Sequence, residues 1–329
     1  MGEKIALWGF GRMNKLMMKY LLEKNYVIVT VIGNRDHGKD AGEVAGLEYL
    51  GVNVIKPEEA DDVLRETRPA LCIISTVSGL SKIKDLLVVL ARNRVNVLTI
   101  NEDAFYSWSI QPEMTKEIDA MFRQNQVTFT GAGYFDLLGC YFGSLLVGIS
   151  HKVDKILMKI QFNLDDFGAG DEDGVGLSVE EFKEKFYQSK EEFSYIQPPV
   201  EALAYKLGWK VLSISQRDEP TLAPIDIQSN QHGIIEQGRA TGHKAIITCK
   251  VLRQDNQEAE IQAQLIGCVY HGDMEDYCEW ETIGVPSLKL KIPKPDSCEV
   301  TCASTVNRIK DCINARPGYV TVVEMGPIA

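Results

Sequence analysis

The pattern of apolar and polar positions changes once along this chain, near residue 131. Before that point, short apolar runs alternate with stretches in which apolar residues recur every three or four positions. The short runs predict buried strands, and the wider spacing predicts helices. The predicted strands are residues 5–8, 26–32, 52–55, 70–75, 95–100 and 127–130. The predicted helices are residues 13–21, 58–67, 80–93 and 114–125.

This alternation predicts the fold class of the N-terminal part, an α/β fold. Apolar strands that alternate with helices are typical of a parallel sheet covered on both faces. Right-handed crossovers make such a sheet doubly wound, and ligands bind at the carboxyl ends of its strands. We therefore expect residues 1–133 to form a Rossmann-type dinucleotide-binding domain.

A second domain is predicted after this change of pattern. Residues 131–148 predict a glycine-interrupted apolar helix that passes between domains, and the acidic, glycine-rich stretch 165–176 is interpreted as a loop or lid. Long alternating strands follow at 156–163, 210–216, 245–252 and 260–269, with helices at 178–186 and 199–207. This pattern indicates a C-terminal α+β domain of mostly antiparallel sheet over residues 134–300. A helix at 302–315 and the tail, residues 301–329, are expected to return to the first domain.

Composition narrows the partners and the compartment. The 329 residues carry a formal net charge of −11 without a cluster of Lys and Arg, so no nucleic acid partner is expected. The apolar runs are too short for a membrane span and no signal-peptide pattern is visible, so we predict a cytoplasmic protein without membrane attachment. Eight cysteines without a C-x-x-C pair are expected to be reduced thiols. Cys298 and Cys302 lack a second pair, so no metal site is predicted.

The turn after the first predicted strand has most of a dinucleotide-binding fingerprint. Gly9 allows a tight turn, and Gly11 lets backbone amides approach a pyrophosphate at the helix N-terminus. Asn14 stands where the third glycine is usual, and a generic strand–helix turn is the alternative interpretation. Its place in the first strand–turn–helix unit favours dinucleotide binding. The loop residues predicted to contact NAD or NADP are Gly9, Phe10, Gly11, Arg12 and Met13.

The end of the second predicted strand bears on the choice between NAD and NADP. NAD-selective sites usually place a carboxylate here, whereas this chain offers Asn34 and Arg35, with Lys39 nearby. A guanidinium can hold a 2′-phosphate through paired hydrogen bonds, which favours NADP. Alternatively, Arg35 covers the adenine or faces solvent and Asp36 serves NAD, so use of both cofactors stays open.

Polar residues follow the fourth and fifth predicted strands at the same sheet edge. Ser75, Thr76 and Ser78 are expected to approach the nicotinamide and its ribose. Ser78 or Ser81 could cap the following helix, and the two roles can hold together. Glu102 could act as a base or hold a cationic substrate. Glu102 and Asp103 could equally cap the next segment, and the residues alone leave both interpretations open.

These motifs together resemble the 2,4-diaminopentanoate dehydrogenase family and the related native amine dehydrogenases, distant relatives of dihydrodipicolinate reductase. The similar stretches are residues 8–14, 42–46, 75–78, 101–103, 130–136, 304–307 and 316–318, spread over essentially the whole chain. The resemblance implies NAD(P)-dependent oxidative deamination of 2,4-diaminopentanoate at C4, which gives 2-amino-4-oxopentanoate and ammonia. It implies that Glu102 handles the reacting amine and activates water. It also implies a homodimer formed through the sheet of the second domain.

The resemblance adds further site residues. Asn101 and Asn307 are expected to contact the cofactor, and Tyr134, Phe135 and Asp136 the substrate. Tyr134 and Phe135 stand where relatives often carry a proline, and they could instead pack the domain interface. The candidate partners for the second ammonium and the carboxylate of the substrate are Asp136, Asp165, Asp166 and Arg316. The sequence does not rank these candidates.

Two alternative functions follow from the same residues. One is an amine dehydrogenase or imine reductase that acts on another small amine or ketone. The other is a sensor that binds the dinucleotide without turnover. The combination of Glu102, Thr76 and the glycine loop argues against a sensor, because a sensor needs no acid/base group at that edge.

Overall fold

A computed structural model describes residues 2–166, 174–188 and 196–328, so most of the predicted lid at 165–176 lies outside the described residues. The chain forms two compact units, Met1–Leu137 with Ser297–Ala329, and Leu138–Asp296. The first boundary therefore falls after residue 137, where 133 was predicted, and the second falls before residue 297, where 301 was predicted.

The elements are numbered in chain order. The strands are β1 Lys4–Trp8, β2 Val27–Ile32, β3 Val54–Ile55, β4 Leu71–Ile74, β5 Asn96–Thr99, β6 Thr128–Gly131, β7 Lys152–Asn163, β8 Lys210–Leu222, β9 Ile227–Ser229, β10 Gly233–Ile235, β11 Ala240–Leu252, β12 Glu258–Cys268, β13 Tyr277–Val285, β14 Leu288–Pro293 and β15 Gly318–Tyr319. The helices are α1 Arg12–Glu23, α2 Ala41–Val44, α3 Ala60–Thr67, α4 Lys84–Arg92, α5 Pro112–Gln124, α6 Tyr134–Asp136, α7 Phe142–Gly148, α8 Val179–Gln188, α9 Gln197–Lys206, α10 Ser297–Asn307 and α11 Ile309–Asn314. Short 3₁₀ helices include Leu80–Ile83 and Glu102–Phe105.

The first unit contains a seven-stranded parallel sheet in the order β15-β6-β5-β4-β1-β2-β3. Six of these strands have the Rossmann order 3-2-1-4-5-6, and β15 extends the sheet beyond β6. The doubly wound parallel sheet predicted from the alternating pattern is therefore confirmed.

The core of this unit explains why its strands appear as continuous apolar runs. Every residue of β4 is buried, because helices cover both faces of the sheet. The helices contribute apolar stripes at three- and four-residue spacing, such as Met17 and Leu21 of α1 and Leu87 and Leu90 of α4, all fully buried. This packed sheet holds the loops at its carboxyl edge in fixed positions.

The second unit contains a six-stranded sheet in the order β14-β13-β7-β12-β11-β8. Its pairs are antiparallel except for β7 with β12, so the predicted mostly antiparallel sheet is confirmed. The sequence pattern missed β13 and β14. In β13, glutamates are interleaved with buried apolar residues, and Glu279 is itself only 8% exposed because Lys159 and Lys289 pair with it.

The C-terminal segment belongs to the first unit. The helix predicted at 302–315 is two helices, α10 and α11, which meet at Arg308. β15 then pairs in parallel with β6. Among the described helices, none is long and apolar enough to cross a bilayer.

Candidate active site

The loops after β1 and β4 meet at the carboxyl edge of the parallel sheet. Gly9 has a φ of +90°, and a Cβ on it would lie 2.1 Å from the Ser75 carbonyl oxygen and 2.6 Å from Thr76 Cγ2. Glycine is therefore required at this position both for the backbone conformation and for the close approach of the two loops. This contact brings the predicted pyrophosphate loop next to the predicted nicotinamide loop.

The N-terminus of α1 has the properties of an anion site. Gly11 is its N-cap and brings no side chain to cap the first amides, and the first turn contains no acidic residue. A Cβ on Gly11 would have no neighbour within 4 Å, so the approach to these amides is open. Uncapped amides and the helix dipole favour a bound phosphate. Arg12 is exposed beside them.

Asn14 replaces the third glycine of the fingerprint with a set of hydrogen bonds. Its side chain is fully buried, and Nδ2 donates to the carbonyl oxygens of Trp8 at 3.1 Å and Gly9 at 2.9 Å. A longer contact of 3.4 Å reaches the Ile73 carbonyl on β4. The departure from the usual fingerprint thus ties α1 to the ends of β1 and β4.

The loop after β2 has no carboxylate at the strand end. A Cβ on Gly33 would lie 3.2 Å from Phe10 Cβ and 3.3 Å from Val54 Cγ1, so a longer side chain does not fit without displacement of these neighbours. Asn34 and Arg35 follow and are exposed. A cavity of 630 Å³ opens beside this loop, and its lining includes Lys15, Asp36, Lys39 and Tyr49.

Asp36, the alternative NAD contact, is engaged by a neighbouring cation. Lys39 Nζ lies 2.7 Å from Asp36 Oδ1, and this hydrogen bond lowers the pKa of the Asp36 carboxyl. Lys15 and Arg35 lower the pKa further through their charges. The cavity beside this loop is thus lined by both cations and carboxylates, with Lys15 and Lys39 against Asp36, Asp40 and Glu43.

The loop after β5 separates the roles of its two carboxylates. Asp103 Oδ2 accepts hydrogen bonds from the Leu80 amide and from Gln111 Nε2, both at 3.1 Å. Asp103 therefore caps the 3₁₀ helix Leu80–Ile83, which receives no side-chain cap from its N-cap residue, Gly79. The alternative that Ser78 caps this helix is not what the structure shows.

Glu102 is the first residue of the 3₁₀ helix Glu102–Phe105 and is half-buried. Burial raises the pKa of its carboxyl, and the charge of Asp103 raises it further. The Glu102 backbone amide and the Ser78 hydroxyl oppose this rise. A carboxyl group with a raised pKa at a ligand-binding edge suits proton transfer near neutral pH.

Asn101 links the β4 and β5 loops from a buried position. Its Oδ1 accepts from the Asp103 amide at 3.2 Å, and Nδ2 donates to the Val77 carbonyl at 3.3 Å. These bonds position the loop that carries Ser78. A direct contact of Asn101 with a cofactor stays a prediction.

Sequence reasoning missed Tyr319, which fixes the Glu102 segment from the C-terminal strand. The buried Tyr319 hydroxyl donates to the Ala104 carbonyl at 2.8 Å and accepts from the Ser107 amide at 3.1 Å. A Cβ on Gly131 would lie 2.1 Å from the same Ala104 carbonyl, so β6 also packs directly against this segment. No local pattern around Tyr319 indicates these contacts.

Tyr134 and Phe135 begin the short helix α6 and are half-buried. The Phe135 ring packs edge-to-face against Phe105, with centroids 6.2 Å apart, and Tyr134 packs against Phe135 at 5.9 Å. Both aromatic residues thus lie beside the Glu102 segment. Their contact with a substrate stays a prediction.

Asp136 is not available to bind a substrate, which corrects the prediction. Arg308 holds both of its carboxylate oxygens, with Nη2 to Oδ1 at 2.7 Å and Nε to Oδ2 at 2.8 Å, and both side chains are completely buried. Arg308 also reaches Asp311 and the Gly326 carbonyl. Asp136 therefore anchors the C-terminal segment to α6.

Asn307 lies away from the cofactor loops, so its predicted cofactor contact is wrong. α10 packs along α1, and Cys302 Sγ is 3.5 Å from the Met13 carbonyl near the start of α1. Five residues further along α10, about 8 Å by helical rise, Asn307 lines a cavity with Lys24 and Asn25, which follow the end of α1. It is therefore at the amino edge of the sheet.

Two further substrate candidates also have other partners. Arg316 is close to the start of β6 and pairs with Glu324 at 2.7 Å. Asp165, in the second unit, accepts from the Ser229 hydroxyl at 2.5 Å and from the Asn230 amide at 3.1 Å. In the described ranges, no group of three or more His, Cys, Asp or Glu residues could hold a metal ion.

Comparisons with known proteins agree with this architecture. Residues 144–329 match the family described as the 2,4-diaminopentanoate dehydrogenase C-terminal domain. A 2,4-diaminopentanoate dehydrogenase from Acetoanaerobium sticklandii is 27% identical over 346 residues, which cover 98% of this chain and 93% of the relative.

Two solved structures extend the comparison. An amine dehydrogenase from Mycobacterium smegmatis superposes with a TM-score of 0.87 and 30% identity over 100% of this chain and 97% of that one. A dihydrodipicolinate reductase from Paenisporosarcina sp. TG-14, with a TM-score of 0.56 and 11% identity over 99% of this chain and 100% of that one, shares the fold.

The fold, the site and these relatives define an oxidoreductase of the dehydrogenase class. More closely, the chain belongs to the 2,4-diaminopentanoate dehydrogenase family, whose C-terminal domain it contains over more than half its length.

Proposed function

We propose that this protein catalyses the NAD(P)-dependent oxidative deamination of 2,4-diaminopentanoate at C4. The observation that carries the proposal is Glu102, a half-buried carboxylate with a raised pKa on the same sheet edge as the open N-terminus of α1. The relatives named as 2,4-diaminopentanoate dehydrogenase and amine dehydrogenase support the reaction class. The products are 2-amino-4-oxopentanoate and ammonia.

The residues at this edge fit a nicotinamide dinucleotide. Gly9 and Gly11 leave space where side chains would obstruct the loop, and the first amides of α1 would hold the pyrophosphate. Ser75 and Thr76 lie next to the glycine turn, where they would approach the nicotinamide ribose. When bound, the dinucleotide supplies the hydride acceptor.

Glu102 supplies the proton transfers of the proposed reaction. Its carboxylate accepts a proton from the substrate ammonium, because only a neutral amine can release hydride from the adjacent carbon. Glu102 releases this proton to solvent before it acts again. After the hydride has left, its carboxylate takes a proton from the water molecule whose oxygen adds to the iminium carbon. Glu102 passes this proton to the amino nitrogen, the C–N bond breaks as ammonia leaves, and the proton lost from the hydroxyl group converts the ammonia into an ammonium ion. In the overall balance, the ammonium substrate, the oxidised cofactor and water give the ketone, an ammonium ion, the reduced cofactor and one proton.

The test is the absorbance of reduced nicotinamide after the purified protein is mixed with 2,4-diaminopentanoate and either NAD or NADP. We expect turnover with 2,4-diaminopentanoate to exceed turnover with simple alkylamines. Faster turnover of the simple amines would replace the proposed substrate. Tight cofactor binding without turnover of any amine would support the sensor alternative instead.

We further propose that NADP is preferred. Gly33 leaves no carboxylate for the ribose hydroxyls, and Arg35 and Lys39 offer cations for a 2′-phosphate. Loss of one hydrogen bond to a charged group corresponds to about tenfold in affinity, so Arg35→Ala should raise the KM for NADP by roughly that factor and leave the KM for NAD unchanged. An equal rise for both cofactors would indicate that Arg35 contacts the adenine.

The role of the second unit in substrate binding and the homodimer formed through its six-stranded sheet stay predictions. Light scattering at several protein concentrations tests the dimer directly. A constant monomer mass would contradict it.

A further inference from the structure

We propose that Tyr319 is a positioning residue for Glu102 and that turnover depends on its hydroxyl group. This hydroxyl bonds to the backbone of the segment that carries Glu102, so it acts through the placement of the 3₁₀ helix Glu102–Phe105. The inference rests on the proposed role of Glu102 and adds to the site a residue of the last strand, β15.

The Tyr319 hydroxyl takes the place of the hydrogen bond that would continue this helix. In a 3₁₀ helix each carbonyl accepts from the amide three residues later, so the Ala104 carbonyl would accept from the Ser107 amide. The chain leaves the helix at Tyr106 instead, where the backbone is extended. The Tyr319 hydroxyl bridges the two groups, since it donates to the Ala104 carbonyl at 2.8 Å and accepts from the Ser107 amide at 3.1 Å. It therefore fixes the point at which the helix ends.

Tyr319 is itself held firmly enough to serve as a fixed point. Its side chain is completely buried, and its ring packs against Phe129 of β6 and against Trp108, with centroids 5.5 Å apart in both pairs. Its backbone amide donates to Asp119 Oδ1 on α5 at 2.9 Å. A group whose rotamer is locked by packing and hydrogen bonds can hold a catalytic side chain in its productive geometry.

The short length of the helix connects its end to Glu102. At the start of the helix, Asn101 Oδ1 accepts from the Asp103 amide at 3.2 Å. At the end, the backbone of β6 packs against the Ala104 carbonyl, where a Cβ on Gly131 would lie 2.1 Å from the oxygen. Glu102 is the first of four residues, little more than one turn. A displaced Ala104 carbonyl therefore changes the direction in which the Glu102 side chain points.

A buried hydroxyl elsewhere in the first unit provides a matched comparison for an effect on stability alone. Thr30 is 2% exposed, and its Oγ1 lies 2.8 Å from Thr67 Oγ1. Thr30 belongs to β2, which is separated from β5 by β1 and β4. Thr30→Val removes a buried hydrogen bond at a distance from the segment with Glu102.

The test compares Tyr319→Phe with Thr30→Val at a temperature at which circular dichroism shows both variants to be fully folded. Tyr319→Phe keeps the ring and leaves the Ala104 carbonyl and the Ser107 amide without the hydroxyl. A misplacement of 1 Å can reduce a rate about a hundredfold, so kcat for the amine should fall by roughly ten- to a hundredfold. The KM for the cofactor should stay unchanged, because the glycine loop after β1 is untouched, and Thr30→Val should keep its kcat. An unchanged kcat in Tyr319→Phe, or an equal fall in both variants, would overturn the proposal in favour of a purely structural role.

A second measurement does not depend on turnover. Hydrogen–deuterium exchange reports local opening of a segment, and it is followed for peptides that cover residues 101–111 and 12–23. In Tyr319→Phe, exchange in 101–111 should be faster by at least about fivefold, whereas exchange in 12–23, which is α1, should stay unchanged. Faster exchange in 101–111 in a protein that does not oxidise 2,4-diaminopentanoate would support the role of Tyr319 and reject only the substrate. Unchanged exchange in an active enzyme would reject the role of Tyr319 alone.

Discussion

The two edges of the parallel sheet differ in how their polar groups are used. At the carboxyl edge, the amides of α1 have no side-chain cap, Gly11 faces open space, and Glu102 carries a raised pKa. At the amino edge, Arg316 pairs with Glu324, and Asp119 accepts from the Tyr319 amide at 2.9 Å. The polar groups named at the amino edge close the fold, as Asp103 and Asp136 do at the carboxyl edge, but the carboxyl edge also has the uncapped amides of α1 and the carboxylate of Glu102.

This contrast shows how polar residues of a candidate site can be distinguished from polar residues that only stabilise the fold of the same sheet. Asp136 and Glu102 both belong to motifs at the carboxyl edge, but Asp136 forms an ion pair with Arg308 and is completely buried. Glu102 has a partly exposed carboxylate and a pKa shift that costs stability. A carboxyl group whose pKa is shifted at a cost in stability is a better indicator of function than a polar group whose pKa is not shifted.

The largest effect is expected from the charge of Glu102. Glu102→Gln keeps the shape of the side chain but removes the base, and loss of general acid–base catalysis corresponds to about 10²- to 10⁴-fold in kcat. Cofactor binding, measured by fluorescence titration, should be retained. Asp103→Asn is the control, since an amide oxygen still accepts from Leu80, and it should keep most of the turnover. Near-full activity of Glu102→Gln would contradict the assigned role.

The thermal stability of Glu102→Gln provides a second test of the role of this carboxylate. The pKa of Glu102 is raised above its usual value of 4.5. Its contribution to stability is therefore fully present below the unfolded pKa and is lost as the pH rises through the folded pKa. Glu102→Gln should consequently melt at a higher temperature than the wild type at pH 7, and the difference should disappear in acid. A variant that is less stable at pH 7 would show that the carboxylate has a structural role.

The second largest effect concerns the buried pair of Asp136 and Arg308. Removal of one partner from a buried ion pair costs about 3–5 kcal/mol, so Asp136→Ala should lower the free energy of unfolding in urea by this amount. Arg316→Ala removes an exposed pair at the other edge and should cost at most about 1 kcal/mol. If the two variants were equally stable, the contrast between buried and exposed pairing would fail.

Substitutions of the two glycines in the loop after β1 should have different effects, one on stability and the other on cofactor binding. Gly9→Ala forces a side chain into a positive φ against the Ser75 carbonyl, which costs about 1–3 kcal/mol of stability for the backbone strain alone. Gly11→Ala meets no protein atom within 4 Å, so stability should be nearly unchanged. Its cofactor KM should nevertheless rise about tenfold if the methyl group displaces one phosphate hydrogen bond. Unchanged cofactor affinity in Gly11→Ala would place the pyrophosphate elsewhere.

The smallest effect is expected at Asn307. Because it lies beside Lys24 and Asn25 at the amino edge, Asn307→Ala should leave cofactor affinity unchanged in a titration. Gly11→Ala is the positive reference in the same assay. A loss of affinity comparable with that of Gly11→Ala would reinstate the original prediction.

The parts of the fold that were predictable depend on local patterns. The order of strands and helices in the first unit follows from apolar spacing, and Gly9 and Gly11 follow from their places directly after a strand. Position alone did not distinguish Glu102 from Asp103, and only the family resemblance singled out Glu102. The failures depend on distant partners. Arg308 is 172 positions from Asp136, and the Tyr319 hydroxyl is 215 positions from Ala104. Neither pairing leaves a signal in the residues that flank it.

Two errors have more specific physical causes. The strand β13 was missed because Glu279 stands on a buried position, where lysines of both adjacent strands neutralise it. Asn14 counted against the fingerprint, although its amide binds the same backbone that a third glycine would allow to approach. In both cases a polar residue occupies a position where the pattern predicts a small or apolar residue. Hydrogen bonds to the backbone or ion pairs satisfy its polar group.

The pairing of β15 with β6 also has a consequence for synthesis on the ribosome. The strand β6 ends at Gly131 and its outer neighbour begins at Gly318. At about 5–20 residues per second, the intervening chain takes roughly 10–40 s to appear. During this interval the outer edge of β6 has no strand beside it, and the segment with Glu102 lacks the Tyr319 hydroxyl. The nascent chain therefore carries an open sheet edge, which other strands can pair with, until β15 emerges.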